Sequence, residues 1–213
     1  MILYNDNAEY KRIVLWGCGG HARSIANVLI KDEHSSAILF VDEKAQSDES
    51  IYGYRVKKPE DYVVQSGDVY FFASGDATLR ERLFGKLGEK ENSLITIVSD
   101  SAEVSKYAMI GKGVFVGAYA YIGPEAIIGD NSIINSGSIV EHEVVIGKYS
   151  HIAPGSVVCG RTKIGERVLV GAGATIVDNV SVCDNVTIGA GATVIEDIIQ
   201  PGIYVGSPAK RIK

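Results

Sequence analysis

The sequence has few of the residues that carry disulfides, metal sites or membrane spans. Its three cysteines, Cys18, Cys159 and Cys183, form an odd set without metal-type pair spacing, which predicts free thiols in a reducing compartment and no metal site. No apolar run is long enough to cross a bilayer, and polar residues stand near the amino terminus where a signal peptide would be apolar. We therefore expect a cytoplasmic protein without a membrane anchor.

Clusters of lysine and arginine are also missing from the 213 residues until the last four positions. The formal net charge at pH 7 is −5. Surfaces that bind nucleic acid or acidic membranes need concentrated positive charge, so this distribution argues against both. The expected partners are small molecules.

What the chain has in abundance is a period of six residues. From Val98 to Val194, seventeen consecutive blocks each begin with valine or isoleucine, and the fifth place is small or β-branched in all but the last block. Such a period predicts a short strand, a turn and a return to the same orientation, with three strands closing a triangular coil. Glycine holds the second place in eight blocks, at Gly111, Gly117, Gly123, Gly129, Gly147, Gly165, Gly171 and Gly189.

Seventeen blocks give between five and six coils, which would stack about 4.8 Å apart into a prism about 27 Å tall. Glycine at the second place would relieve crowding of the backbone at the corners. Ordinary buried strands or a glycine-rich tract would not hold one register over so long a stretch. The sequence therefore predicts an all-β parallel solenoid over residues 98–213, preceded by a separate domain over residues 1–97.

The first domain is predicted to be a Rossmann-like α/β half domain that binds a nucleotide, because it is too short for a full dinucleotide fold. A buried strand over residues 10–16 leads into a glycine turn at 17–20, and helical spacing follows. Glycine lets backbone N–H groups approach a phosphate, and the start of a helix adds the positive end of its dipole. A plain tight turn is the alternative. The candidate contacts are the backbone of this turn and His21.

A second strand of this domain, predicted over residues 37–41, ends at Asp42 and Glu43. An acid at that point of the fold commonly meets a ribose or a base edge. Both carboxylates are therefore candidates for nucleotide recognition.

A third strand, predicted over residues 69–73, ends at a turn that contains Gly75 and leads into another helix. The carboxyl ends of parallel strands meet at one edge of a sheet, so this turn would face the same crevice as the first. Arg80 and Arg82 on the helix are either part of this crevice or solvated charges.

The chain has only four histidines. His34 lies in a polar stretch and is expected to be exposed, whereas His21 in the glycine turn is expected to bind a phosphate or a sugar hydroxyl. His142 and His151 fall at outward places of the repeat and stand half a coil apart, on different sides of one prism. If both serve one reaction, the site must lie between two subunits.

Glu143 follows His142 directly and is the carboxylate expected to orient it. A carboxylate that accepts the Nδ1 proton leaves Nε2 free as a base and stabilises the imidazolium. The alternative is a surface histidine among surface acids.

Several stretches together resemble a known family: the unbroken repeat, the glycine turn, the turn at 74–76, the segment 134–143 and the tail 205–210. They resemble the hexapeptide-repeat acyltransferases and, more narrowly, the PglD-like bacterial nucleotide-sugar N-acetyltransferases, with the NeuD-type sialic acid O-acetyltransferases as cousins. The resemblance covers nearly the whole chain. It implies a left-handed β-helix, a homotrimer, acetyl-CoA bound between neighbouring helices, and an N-terminal domain that holds the nucleotide of the acceptor sugar.

The resemblance also implies roles for individual residues. His142 falls on the catalytic base and Glu143 on the acid that raises its basicity. Lys210 in the basic tail is either a CoA contact or a solvated charge. Contact with acetyl-CoA is implied for His151, Gly160, Ala172 and Ala190. Contact with the nucleotide sugar is implied for Gly19, Gly20, His21, Asp42, Glu43, Gly75 and Asn135.

The predicted reaction moves acetyl from acetyl-CoA to the 4-amino group of a nucleotide-linked 4-amino-4,6-dideoxy sugar, UDP-linked in the first instance, in bacterial glycan, O-antigen or capsule biosynthesis. His142 would take a proton from the amine, and N–H groups near Gly160 would stabilise the oxyanion. Cys159 and Cys183 are interpreted as space-fillers rather than nucleophiles. Two alternatives are O-acetylation of sialic acid or a related sugar, and a binding or scaffold solenoid without catalysis.

Overall fold

The computed structural model describes residues 2–4, 11–31, 37–88 and 93–213. Two compact units make up the chain, Met1–Ile97 and Val98–Lys213. His34 lies outside the described residues. Within the described ranges, no helix is both long and apolar enough to cross a membrane.

The N-terminal unit is an α/β structure with a mainly parallel sheet in the order β4-β5-β3-β2-β6. Strand β2 lies between β3 and β6 and is parallel to both, and its three central residues, Ile13 to Leu15, are fully buried. Only the short β4 runs antiparallel to its neighbour. The elements from Ile2 to Val98 are β1 (Ile2–Tyr4), β2 (Arg12–Trp16), α1 (Gly20–Lys31), β3 (Ala37–Val41), β4 (Ser50–Ile51), β5 (Tyr54–Lys57), a 3₁₀ turn (Pro59–Asp61), β6 (Asp68–Phe72), α2 (Ala77–Gly85) and β7 (Thr96–Val98).

The two helices form for different local reasons. Helix α1 buries Ala22, Ile25, Ala26 and Leu29, whose spacing of three and four residues places them on one face. Helix α2 is capped by Asp76, whose Oδ1 accepts a hydrogen bond from the Leu79 N–H at 3.2 Å. Both helices follow directly on the carboxyl end of a strand, which leaves their first turns at the edge where the sequence predicts a crevice.

The C-terminal unit is a solenoid of three parallel sheets. Paired strands are eighteen residues apart in sequence, as in the pairing of Phe115 with Ile133. Face A contains β10 (Phe115–Val116), β13 (Ile133–Ile134), β16 (His151–Ile152), β19 (Leu169–Val170), β22 (Val186–Ile188) and β24 (Gly202–Val205), with β25 (Lys210–Arg211) antiparallel at its end. Face B contains β8 (Glu103–Val104), β11 (Tyr121–Ile122), β14 (Ile139–Val140), β17 (Val157–Val158), β20 (Thr175–Ile176) and β23 (Thr193–Val194). Face C contains β9 (Met109–Ile110), β12 (Ile127–Ile128), β15 (Val145–Ile146), β18 (Lys163–Ile164) and β21 (Ser181–Val182).

The inside of the prism is filled by the first and fifth places of the blocks. The first-place aliphatic residues, such as Ile134, Val140 and Ile152, are fully buried and form one continuous core. Where the fifth place is serine or threonine, its hydroxyl donates to a carbonyl; Ser132, for example, bonds the Gly147 oxygen at 2.9 Å. These hydrogen bonds satisfy polar atoms that burial would otherwise leave costly. Small fifth-place residues thus fit between the aliphatic layers.

Most corners of the solenoid contain a residue in the left-handed region. In fourteen consecutive blocks, the fourth residue has φ between 54° and 68°. Nine of these residues are not glycine, and Glu143 is one of them, with φ of 58°. The second-place glycines have another cause, because a Cβ on Gly117 would stand 2.7 Å from the backbone nitrogen of Ser136 on the next coil. The crowding that the sequence predicts at the second place is therefore contact between neighbouring coils.

Candidate functional site

His142 lies at the corner between faces B and C, in a column of third-place residues. Gly160 and Asp178 follow it at intervals of one coil. The column is held by hydrogen bonds between coils: Arg161 N–H donates to the His142 carbonyl at 3.0 Å, and Asn179 N–H donates to the Gly160 carbonyl at 2.9 Å. This column is called the His142 corner below.

The His142 ring is fixed on two sides. Its Nδ1 lies 3.0 Å from Glu143 Oε2, and a carboxylate only accepts, so the Nδ1 proton points to Glu143. Beneath the ring is Gly160, where an added Cβ would stand 2.5 Å from Cε1 and 2.6 Å from Nε2 of the imidazole. About 43% of the His142 side chain is exposed. The geometry leaves Nε2 able to take a proton from a ligand at the surface.

Two acidic groups and a thiol surround this corner. Asp178 pairs with Arg161, with Oδ2 and NH2 2.6 Å apart. Burial, helped by the nearby carboxylates of Glu141 and Asp178, raises the pKa of the Cys159 thiol above its ordinary value. A protonated thiol is a weak nucleophile. The interpretation of Cys159 as a space-filler stays a prediction.

His151 lies on face A, away from the His142 corner. Its Nε2 is 3.1 Å from Asn135 Nδ2, while Asn135 Oδ1 accepts from the Ser136 N–H at 2.8 Å. Ala172 and Ala190 stand at the corner between faces A and B, one coil apart, and both are exposed. These residues are called the face A group below.

The candidate residues of the solenoid thus fall into two places on one chain. Glu143 and Gly160 accompany His142. In the face A group, His151 lies half a coil away, and Ala172 and Ala190 lie at the adjacent corner, at the other end of face B. Lys210 belongs to β25, which pairs with β24, and its side chain is exposed. The neighbouring Arg211 guanidinium bonds the Pro201 carbonyl at 3.1 Å, so this part of the tail folds back on the solenoid instead of extending into solvent.

In the N-terminal unit, the glycines of the turn serve two purposes. Gly17 has φ of 125°, and a Cβ there would stand 2.7 Å from the Ala73 carbonyl oxygen, so the fold itself requires glycine. Gly19 and Gly20 are exposed. Among the described residues, apart from their chain neighbours and the backbone of α1, no atom lies within 4 Å of where their Cβ would stand. Because helix α1 begins at Gly20, open backbone at this point is suited to an anion.

Asp42 and Glu43 follow β3 beside this turn, but their surroundings differ. Asp42 accepts from the Cys18 N–H at 3.0 Å and from the Lys44 N–H at 2.8 Å, so it holds the glycine turn to the end of β3. Glu43 is exposed and lies 3.4 Å from Arg82 NH2. Burial, followed by the hydrogen bond and charge of Asp42, raises the pKa of the Cys18 thiol to about 11. Glu43 is the carboxylate of the pair that remains open to a ligand.

A cavity of about 160 Å³ lies at this edge of the sheet, and Asp42, Glu43 and Arg82 are among the residues that line it. Trp16 also lines it, and sequence reasoning missed this residue because it reads as part of a buried strand. The indole Nε1 is buried and has no hydrogen-bond partner in the described part of the chain. A single tryptophan at the end of the first strand, directly before the glycine turn, was the available signal.

The turn after β6 is built around a buried arginine. Arg80 is 1% exposed and donates to the Ser74 carbonyl at 2.9 Å, so it fixes the loop that carries Gly75. The interpretation of Arg80 as a solvated charge is therefore wrong. Arg82 is half exposed and faces Glu43. His21 is half-buried at the start of α1.

Family models match both units. The PglD N-terminal domain matches residues 12–87. The bacterial transferase hexapeptide (six repeats) matches residues 107–142, 125–160 and 161–196. No curated protein sequence matches the chain.

Solved structures agree over nearly the full length. The acetyltransferase domain of PglB from Neisseria gonorrhoeae is 28% identical, covers 95% of this chain and 100% of its own, and has a TM-score of 0.89. A histidine-to-asparagine mutant of perosamine N-acetyltransferase from Caulobacter crescentus, in complex with CoA and GDP-perosamine, is 30% identical, covers 94% of this chain and 96% of its own, and has a TM-score of 0.86. The chain therefore belongs to the PglD-like family of hexapeptide-repeat acetyltransferases.

Proposed function

We propose that the protein transfers acetyl from acetyl-CoA to the 4-amino group of a nucleotide-linked 4-amino-4,6-dideoxy sugar in bacterial glycan biosynthesis. The observation that carries the proposal is the clamped imidazole: His142 rests on Gly160 and points Nδ1 at Glu143, 3.0 Å away. Nε2 takes the proton as the amine attacks the thioester carbonyl, which forms the C–N bond and a tetrahedral oxyanion. Collapse of that intermediate breaks the C–S bond, and the His142 imidazolium returns the proton to the departing thiolate, which leaves as CoA thiol.

The nucleotide is proposed to bind the N-terminal unit. Gly19 and Gly20 offer open backbone at the start of α1, and Glu43 and Arg82 line the adjacent cavity. The complex of perosamine N-acetyltransferase with GDP-perosamine supports a nucleotide-linked amino sugar as the acceptor class. We take UDP as the first nucleotide to test and GDP as its main competitor.

Acetyl-CoA is proposed to lie between subunits of a homotrimer. The acetyltransferase domain of PglB has a structure in complex with acetyl coenzyme A, which supports the cofactor. The placement follows from the separation of the His142 corner from the face A group on one chain. A subunit that contributes His142 would meet a neighbour that contributes His151, so that each site is completed by two chains.

The reaction is tested by CoA thiol release with acetyl-CoA and purified UDP-, dTDP- and GDP-linked 4-amino-4,6-dideoxy sugars, with free sialic acid as the hydroxyl acceptor. Turnover with an amino sugar and none with sialic acid is the expected result. His142→Ala should remove most turnover, and Glu143→Gln, which keeps the size of the side chain, should lower kcat with less effect on KM. Turnover of sialic acid alone would replace the proposal with O-acetylation.

The shared site is tested by mixing two inactive variants. In a random one-to-one mixture of His142→Ala and His151→Ala chains, about one quarter of the interfaces combine the two native histidines. Recovery of about that fraction of wild-type activity is expected after co-expression, with a trimer mass by light scattering. A mixture that stays as inactive as its components would show that both histidines act within one chain or in separate steps.

A further inference from the structure

The hydrogen bonds around Asn135 determine the orientation of its amide. A backbone N–H can only donate, and the Ser136 N–H lies 2.8 Å from the Asn135 side chain. The atom that faces it must therefore be the carbonyl oxygen, Oδ1. This leaves the amide nitrogen, Nδ2, facing His151 Nε2 at 3.1 Å.

The amide in turn determines the tautomer of His151. An amide nitrogen only donates, so His151 Nε2 must accept, and a ring nitrogen that accepts carries no proton. The neutral imidazole then holds its single proton on Nδ1. Protonation of Nε2 would set two donors against each other across 3.1 Å, so the contact also opposes the imidazolium form.

The strands of face A fix the position of the ring. His151 stands in the outward row of that face, paired with Ile133 on one side and Leu169 on the other. The backbone of His151 is fixed as well, because its N–H donates to the Val168 carbonyl at 2.8 Å.

We propose that Asn135 is a positioning residue that holds His151 as a neutral imidazole protonated on Nδ1, so that His151 acts as a hydrogen-bond donor and not as a second base. In the reaction, the Nδ1 proton of His151 would form a hydrogen bond to the acyl group or to the sulfur of acetyl-CoA. This part of the proposal rests on the proposed function. The two solenoid histidines therefore differ in the hydrogen bond that fixes them. His142 donates from Nδ1 to Glu143, whereas His151 accepts at Nε2 from Asn135.

The tautomer is measured directly by long-range ¹H–¹⁵N correlation on the full-length protein labelled at histidine, without any substrate. Four histidines give few signals, and His151→Gln identifies the one that matters. The expected spectrum shows Nε2 as the unprotonated and Nδ1 as the protonated nitrogen of His151 near neutral pH. A protonated Nε2 in the wild-type protein would overturn the proposal without the need for any variant.

Asn135→Asp is the matched change, because its carboxylate still accepts from the Ser136 N–H but presents an oxygen to His151. Nε2 should become protonated in this variant, and kcat should fall roughly tenfold or more while KM for the nucleotide sugar stays near the wild-type value. An unchanged tautomer, or a rise in KM alone, would assign Asn135 to sugar binding instead. If no sugar is acetylated at all, the proposed function fails, but the spectra still decide the tautomer.

Discussion

Replacing Gly160 by alanine adds one methyl group directly under the proposed base. The new Cβ would stand 2.5 Å from His142 Cε1 and 2.6 Å from Nε2, whereas two such atoms need about 3.5–4.0 Å. The ring therefore has to retreat by about 1 Å. A displacement of that size at a reacting group costs about 10²-fold in rate, which corresponds to about 2.7 kcal/mol of transition-state stabilisation.

The fold itself should accept this methyl group. Alanine already occupies the same third place of the repeat at Ala172 and Ala190, and the imidazole is a partly exposed side chain that can swing outward. We expect an unchanged urea midpoint, an unchanged KM for the nucleotide sugar, and a kcat about 100-fold below the wild-type value in the thiol-release assay.

A double-mutant cycle separates displacement of the ring from other effects. In the His142→Ala background there is no ring to displace, so adding Gly160→Ala should cause almost no further loss. Near-wild-type kcat for the single Gly160→Ala variant would refute the steric reasoning. Equal losses in both backgrounds would place the effect in the backbone of Gly160 instead.

Three further changes test other parts of the structure. Gly17→Ala forces a side chain into a left-handed backbone against a carbonyl and should destabilise the N-terminal unit by about 1–3 kcal/mol in urea unfolding, whereas Gly19→Ala should keep stability and raise KM for the nucleotide sugar. Burial opposes ionisation of Asp68, but its bonds to Arg12 and neighbouring groups outweigh this and lower the pKa of the carboxyl. That stabilisation is complete above the ordinary aspartate pKa and is lost as pH falls through the lowered one. Asp68→Asn should therefore cost about 3–5 kcal/mol at pH 7, and the cost should shrink progressively as the pH falls below the ordinary aspartate pKa. Cys159→Ala should keep kcat within about twofold, because the raised pKa keeps the thiol protonated, and a large loss would revive a covalent intermediate.

The period of six residues was sufficient to predict the solenoid and its register. Each valine or isoleucine at a first place, Ile134 for instance, points inward because the strand and the turn repeat together. The left-handed fourth place was not predicted, because Tyr, Glu and Arg occupy it as well as glycine and asparagine, and their intrinsic preferences do not indicate that conformation. The contacts between coils impose it.

The candidate site was predictable in its residue types but not in all its contacts. The neighbouring residues His142 and Glu143 could be read as a pair, because adjacency in sequence limits their separation. The hydrogen bond from Asn135 to His151 joins residues sixteen positions apart, and only the stacking of coils brings them together. Arg80 shows the same limit, since its burial depends on the packing of α2 against the sheet.

The left-handed backbone at the fourth place of the repeat brings the two proposed catalytic side chains together. His142 and Glu143 are consecutive residues, and their side chains meet because the backbone of the second one turns at φ of 58°. The solenoid makes that same turn fourteen times, so the pair is a local insertion into a standard corner and not a product of distant parts of the chain. Transplanting the pair to Asp178 and Asn179, two coils along the same edge, would therefore also require glycine in place of Glu196, because Glu196 stands one coil beyond Asp178 as Gly160 stands one coil beyond His142. Whether the transplanted pair catalyses a reaction would then depend on which substrates the surrounding surface binds.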